Sequence, residues 1–393
     1  MNAKVLSILL GIVLVVAGLA VYFTVTPMYS SSVTMTTTTR LFPDLADKIN
    51  DVALVRVKNP SAETIVKKTD KGWGLESRGG YPVEFEKVKE ALMSLADLSA
   101  LETKTSKPDM YTRLGVEDIT QAGATSKLVT LEDAGGKPIA SLIVGKDAGN
   151  AGSKTQVYVR RAGEAASLLA EGRTSPSWSF PTDAMTWVKR ELTAFDSGRV
   201  KGAIFVHPDG SSVVVDRPSS KEVNYRVADV PAGKELSSPG AANSAAGALA
   251  YVSFEDVKPA GDLKDATPSG FAEYQTFDGL RLNIQLSKVG EKSWGILTAT
   301  YEAPVLAEGE QPDPIARPAA DVQKEAADLA AKWSGWAFLI PEFKAKQFAT
   351  TMDDLLKKDE PAGTTPEGEA PPQLPTQLPP QLPPGDSILT PPK

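Results

Sequence analysis

The single histidine of this 393-residue chain, His207, stands two residues before Asp209. A His–Asp pair is the base-and-orienter half of an acyl-transfer triad. Here it lies in His207-Pro208-Asp209-Gly210 between two apolar runs, and turn formation explains that spacing without chemistry. No G-x-S-x-G elbow offers a nucleophile. Zinc takes three or four N, S or O ligands, and one His with no Cys makes such a site a poor fit. Gly149-x-x-Gly152-Ser153-Lys154-Thr155 has the glycines of a phosphate loop. Its Ser and Lys stand in the wrong order for G-K-[ST], so a hairpin extension is the simpler reading. The carboxylate pairs Glu84/Glu86 and Asp353/Asp354 could serve glycoside hydrolysis across a cleft, yet both sit among lysines on helical patterns and read as solvated faces. No catalytic residue, metal or cofactor is assigned.

Aromatic residues are the better lead. Trp73, Trp294 and Trp336 fall on strand patterns and read as core. Trp178 lies in Ser175-Pro176-Ser177-Trp178-Ser179-Phe180-Pro181, an irregular connector. An exposed indole there could stack on a sugar ring or dock a partner. The competing reading is a wedge between domains.

These residues need elements to hold them. Val52, Leu54, Val55 and Val57 predict a strand, and Thr64–Val66 and Trp73–Leu75 two more, with turn formers at Asn59-Pro60 and Asp70–Gly72 between them. Phe85, Val88, Leu92 and Leu95 recur at helical spacing after Pro82. Leu128–Leu131 and Ile139–Val144 flank Gly135-Gly136, a hairpin. Val157–Val159 continues the pattern, and a short helix is expected at Glu164–Glu171. Pro181-Thr182-Asp183 starts a predicted connecting helix over 181–199, its apolar side formed by Trp187, Leu192 and Phe195.

The order then recurs. Lys71-Gly72-Trp73-Gly74-Leu75 is echoed by Val223-Asn224-Tyr225-Arg226-Val227, with Trp73 and Tyr225 152 positions apart. The Leu131 hairpin is echoed at Leu286, 155 positions on. Tyr158 then aligns with Phe338, 180 positions on. The growth in spacing places an insertion at about 303–333, a Pro-rich loop and a helix over Val322–Trp333. A last helix is expected over Glu342–Leu356.

The ends differ in composition from the middle. Val5 to Val25 carries no charge, and as a helix it is long enough to cross a hydrocarbon core of about 30 Å. A cleavable signal usually has a shorter apolar region. Lys4 precedes the span, and the next basic residue after it is Arg40, which keeps the N-terminus cytoplasmic. Residues 1–26 are therefore expected to be an anchor in the inner membrane, and 27–40 a Ser/Thr-rich stalk. The first unit is expected at 41–180 and the second at 200–358. Residues 359–393 carry the Gln-Leu-Pro repeats around Leu374, Leu378 and Leu382, a composition that cannot bury a core. That tail reads as disordered: a solvated tether, with the three leucines as alternative docking points for a partner. The absence of cysteine excludes disulfides, thiolate metal sites, a Cys nucleophile and a lipobox anchor. A net charge of −7 without a basic stripe excludes nucleic acid.

The strand-strand-Trp unit ending in Gly72-Trp73-Gly74-Leu75, the Pro82 helix, Tyr111-x-x-Leu114-Gly115-Val116, the following hairpin and the second half resemble the DUF4340 family of bacterial envelope proteins, over roughly 41–356. The resemblance implies a membrane-anchored envelope protein, often associated with ABC-type exporters. It implies no catalytic residue.

The expected fold is α+β, with two tandem copies of a small, mainly antiparallel sheet, helices on one face, behind one N-terminal transmembrane helix. The expected role is a non-enzymatic extracytoplasmic scaffold or accessory subunit. The alternatives are a glycan-binding module and, further off, a carboxylate hydrolase. A reporter active only outside the cytoplasm, fused after Lys393, should be active in the membrane fraction. Release of a soluble, shortened protein would refute the anchor.

Overall fold

A computed structural model of the chain describes residues 39–358, apart from Ala307, Glu308 and Glu310. The apolar stretch 5–25, the stalk to residue 38, and the tail with Leu374, Leu378 and Leu382 lie outside the described residues. Among the described residues, no helix is long and apolar enough to cross a membrane.

The first half forms β1 (Thr39–Arg40), β2 (Val52–Lys58), β3 (Glu63–Thr69), β4 (Gly72–Leu75), β5 (Tyr81–Pro82), β6 (Ser99–Thr105), β7 (Lys127–Asp133), β8 (Pro138–Ala151), β9 (Lys154–Arg161) and β10 (Ser167–Gly172). They make one sheet in the order β1-β6-β10-β9-β8-β7-β2-β3-β4-β5. After the short β11 (Glu191–Ala194), the second half forms β12 (Val200–Val206), β13 (Ser212–Asp216), β14 (Arg226–Val227), β15 (Tyr251–Ser253), β16 (Asp256–Pro259), β17 (Thr267–Thr276), β18 (Leu280–Val289), β19 (Lys292–Tyr301) and β20 (Trp336–Leu339). Its sheet runs β14-β13-β12-β17-β18-β19-β20-β16, while β11 pairs with β15 alone. Every pairing is antiparallel, and the class is α+β.

The two sheets share one strand order. Reading β4-β3-β2-β7-β8-β9-β10-β6 against β14-β13-β12-β17-β18-β19-β20-β16 matches every strand of the second. The register agrees in detail. Leu131, Val55, Val66 and Leu75 form one row across the first sheet; Tyr274, Ala203, Val215 and Val227 form the same row across the second. A bulge follows Val52 in β2 and Val200 in β12. A 3₁₀ turn precedes each, Ile49–Asp51 and Ser197–Arg199. Trp73 and Tyr225 stand two residues before Leu75 and Val227, and so at matching places.

The hairpin equivalence read from sequence is displaced by one strand. The β7–β8 hairpin corresponds to β17–β18, not to β18–β19, and Tyr158 on β9 corresponds to β19 rather than to Phe338 on β20. The overlooked strand was β17, whose Pro268 and Gly270 interrupt its alternation. The long excursion of the second half still falls between β19 and β20, where β9 and β10 have a short turn.

Helices are α1 (Leu45–Lys48), α2 (Phe85–Ala96), α3 (Tyr111–Leu114), α4 (Pro176–Ser179), α5 (Asn243–Ala246), α6 (Ala319–Trp333), α7 (Glu342–Phe348) and α8 (Met352–Leu355). Most cover the inner faces. Alternation along β8 puts Leu142 and Val144 in the main core and Ile143 on the other face. There Tyr111 and Val116 pack on it, so α3 corrects the expectation of helices on one face. Leu263, in a 3₁₀ turn over Ala260–Leu263, covers Trp294 and Leu339 on the outer face of the second sheet.

The connecting helix over 181–199 does not form. That stretch is a 3₁₀ turn at Ala184–Trp187, strand β11 and a second 3₁₀ turn. The Trp187 carbonyl accepts from Glu84 N–H at 3.0 Å, and its indole donates to the Pro181 carbonyl at 3.0 Å. These contacts, and the pairing of β11 with β15, take the backbone groups a helix would have used. The expected helix at Glu164–Glu171 is replaced by β10, paired on both edges. The final helix breaks at Ala349, and Thr351 with Asp354 makes a capping box that starts α8.

One continuous core joins both sheets. At the junction the Tyr81 ring meets Phe254, Trp336 and Phe338 edge-on, with centroids 5.7, 5.0 and 6.1 Å away. Arg78 grips Asp256 through two hydrogen bonds of 2.5 and 3.1 Å. Burial pushes the Tyr81 phenol up to about 12. The folded state therefore disfavours the phenolate, and stability held below the free phenol's pKa of about 10 is lost as pH rises through the folded value. Chemical denaturation should show a decline between pH 10 and 12 that is smaller in Tyr81→Phe. An identical decline in both proteins would remove Tyr81 as its source.

Candidate functional site

Helix α2 starts after Pro82 and turns Val88, Ala91, Leu92 and Leu95 into the core. Phe85, Lys89 and Met93 follow one stripe at intervals of four, and that stripe faces outward. Phe85 is 60 % and Met93 41 % exposed. The sequence pattern counts Phe85 with the core face; at the first position of the helix it is instead left open. Between this stripe and the ends of β2, β3 and β4 runs an apolar groove of about 460 Å³, lined by Ile49, Asn50, Val52, Lys68, Trp73, Phe85, Lys89, Leu92 and Met93. Trp73 is half-buried, packed on the core from one side and bounding the groove from the other.

The second sheet shows what the same place looks like when filled. Ile49, Asn50, Val52, Lys68 and Trp73 correspond by register to Ser197, Gly198, Val200, Arg217 and Tyr225. The buried Arg217 guanidinium donates to the carbonyls of Val200 (3.0 Å), Gly198 (2.7 Å), Ser197 (3.3 Å) and Glu222 (2.9 Å). It lies 4.6 Å from the Tyr225 ring centroid and 5.6 Å from that of Phe277. The Tyr225 hydroxyl donates to the Val200 carbonyl at 2.8 Å, and its N–H donates to Asn243 of α5. A planar fork can satisfy several carbonyls while stacking on rings; a lysine ammonium cannot. The lysine at position 68 is exposed, and the space stays open.

Trp178 is 61 % exposed. It is on α4, a single turn held from beneath. Ser175, fully buried, caps the turn and donates to Asp147 at 2.6 Å; the Ser177 hydroxyl reaches both Asp147 oxygens at 2.8 Å. The Lys127 ammonium donates to the carbonyls of Ser177 (2.6 Å) and Phe180 (3.0 Å). Burial lowers its pKa, while the Asp147 carboxylate pulls the other way. The serines are bound to a carboxylate and the lysine to carbonyls, so the cluster braces the turn and does not form a serine–lysine nucleophile pair.

The remaining candidates do not converge. His207 Nε2 is 3.2 Å from the Thr350 carbonyl, while Asp209 accepts from Ser211 within its own turn. Hydrogen bonds from Ser211 lower the Asp209 pKa. Gly152 and Ser153 form the tip of the β8–β9 hairpin. Glu84 pairs with Lys87 and Glu86 with Lys89 on the solvent side of α2. Asp354 is occupied in capping α8. Trp336 packs at the junction and Trp294 on the outer face, its ring 4.1 Å from the Lys258 ammonium. Among the described residues no group of three or more His, Asp or Glu side chains could hold a metal ion.

The stretch from Trp73 in β4 to Gly270 in β17 matches a family whose description is a domain of unknown function, DUF4340. The chain belongs to the DUF4340 family. The DUF4340 match begins at the groove tryptophan and extends into the second sheet, a shorter span than the 41–356 suggested by the sequence resemblance. No curated protein and no solved structure matches the chain.

The contrast between the open and the filled place has a direct consequence. Arg217→Ala leaves several buried carbonyls unpaired and should cost more than about 2 kcal/mol. Lys68→Ala should stay within ~0.5 kcal/mol, as for an exposed surface residue. Equal losses in urea denaturation would mean that Lys68 folds in as Arg217 does and that the groove is closed in solution.

Proposed function

We propose that this DUF4340 protein is a non-enzymatic docking protein of the cell envelope. It is held to the inner membrane by residues 5–25 with its bulk outside the cytoplasm, as a scaffold or an accessory subunit of an ABC-type exporter. The two sheets are copies of one unit, the second with its groove position filled and the first with it open for a partner. What supports this reading is the apolar groove at Trp73, Phe85 and Met93. Its lining is two aromatics, aliphatics and a thioether with lysines at the rim, a composition suited to a peptide or protein segment.

The chain has no cysteine, so a photoreactive maleimide on Met93→Cys labels one position only. Irradiated in native membranes, it should yield a discrete adduct with another protein, lost when Phe85→Ser is added. Labelling as diffuse as that from the exposed Val223→Cys would overturn the docking role. A second reading, glycan binding, is favoured by the exposed Trp178 on its braced turn. On that reading Trp178→Ala reduces co-sedimentation with purified cell-wall polysaccharide severalfold, and unchanged sedimentation removes it.

A further inference from the structure

We infer that the groove of the first sheet takes one kind of ligand: an extended, proline-containing segment of a partner protein, with a carboxylate two residues before an aliphatic side chain. The inference rests on the docking reading of the groove and names the chemistry of its occupant. It is carried by the second sheet, where a segment of that chemistry lies on the matching place within the same chain.

That segment is Pro312-Asp313-Pro314-Ile315-Ala316, part of the excursion between β19 and β20. The Asp313 carboxylate accepts from the Ser219 hydroxyl at 3.1 Å and from the Ser220 N–H at 2.8 Å, both in the connection that leads from Arg217 to Tyr225. The Ile315 side chain lies against Gly198, where an added Cβ would stand 3.2 Å from the Ile315 Cδ1. Pro312 and Ala316 share a hollow with Phe277, whose ring centroid is 5.6 Å from the Arg217 guanidinium. Gly198 and Arg217 are the counterparts of Asn50 and Lys68, two residues of the groove. The second unit therefore carries a proline-flanked acidic segment against the very place that is open in the first. Among the described residues the first sheet has no such excursion, since β9 and β10 are joined by the short stretch 162–166.

Charge fixes the rest of the ligand. Arg217 commits its donors to backbone carbonyls, so Asp313 is held by serines instead. Lys68 stands at the groove and makes no ion pair among the described residues. A carboxylate on an incoming segment meets that ammonium, while the aliphatic side chain two residues on enters the apolar lining of Trp73 and Phe85. Proline on either side of the acidic residue fixes φ and lowers the entropy lost on binding.

The absence of cysteine allows a direct test on the full chain in detergent. An environment-sensitive dye on Asn50→Cys reports the groove alone, and the probe is a synthetic peptide of residues 311–316, Gln-Pro-Asp-Pro-Ile-Ala. Titration should give a saturable change in dye emission. The apparent Kd should rise at least tenfold with Phe85→Ser and severalfold with Lys68→Glu, both at exposed positions that leave the fold intact. It should also rise at least tenfold when the peptide carries Asp313→Asn and Ile315→Ser together. No saturation at millimolar peptide overturns the inference, as does an affinity indifferent to Phe85→Ser or to the peptide changes. The adduct from Met93→Cys separates the two readings. A discrete adduct in native membranes without peptide binding keeps the docking role and overturns this ligand chemistry. Sequence-dependent peptide binding without any adduct upholds the ligand chemistry and removes the envelope partner.

Discussion

The packing of Tyr81 against Phe254, Trp336 and Phe338 organises the rest of the molecule. Tyr81 opens the short edge strand β5 of the first sheet, and Phe338 and Trp336 belong to β20, next to the edge strand of the second. Edge-to-face rings exclude water between two units that otherwise present sheet edges to one another. Gly79 brings the backbone in close: with φ of 64°, an added Cβ would lie 2.6 Å from the Pro259 ring. Pro82 follows at once, and α2 begins three residues later, so the same junction fixes where the groove-bearing helix starts.

From that fixed start, the difference between the two sheets comes down to a few side chains. Both units have the same 3₁₀ turn, bulge and aromatic at the same rung. In the second, an arginine turns inward and its charge is absorbed by carbonyl oxygens that a turn of this kind leaves unpaired. In the first, a lysine at the corresponding place stays in water, and the helix beside it is longer, Phe85–Ala96 against Asn243–Ala246. One sheet thus uses the position for stability and the other leaves apolar surface exposed, which a protein sustains at a binding surface more readily than elsewhere.

Much of this was legible in the residues. The α+β class, the strands around Val55, Val66 and Trp73, helix α2 and helix α6 all follow from periodicity and turn chemistry, whereas the irregular connector around Trp178 left both exposure and a wedge between domains open, and the structure exposes the indole. The connecting helix failed because Trp187, Leu192 and Phe195 have helical spacing, while tertiary hydrogen bonds to Glu84 and Pro181 decide the backbone. β17 was missed because Pro268 and Gly270 hide an alternation that Ala272, Tyr274 and Thr276 keep. The groove itself could not be read from composition. Phe85 fits the core stripe of its helix, and only strand register sets Lys68 beside Arg217.

The way the chain enters the first sheet has a mechanical meaning. β1 contributes two rungs on β6, Thr39 opposite Ala100 and Arg40 opposite Ser99, and such a pair peels apart one rung at a time under tension. Immediately behind it the Leu41 carbonyl is clasped by Arg161 through bonds of 3.2 and 2.6 Å, and the Leu41 and Leu45 side chains are sunk in the core. A pull on the polypeptide from the side of Thr39 therefore meets the β1–β6 rungs first and the guanidinium clasp behind them. The entry is a two-rung lead backed by a clasp, and because the Leu41 N–H donates to the Leu98 carbonyl at 2.7 Å, just past the end of α2, it is joined directly to the helix that bears the groove.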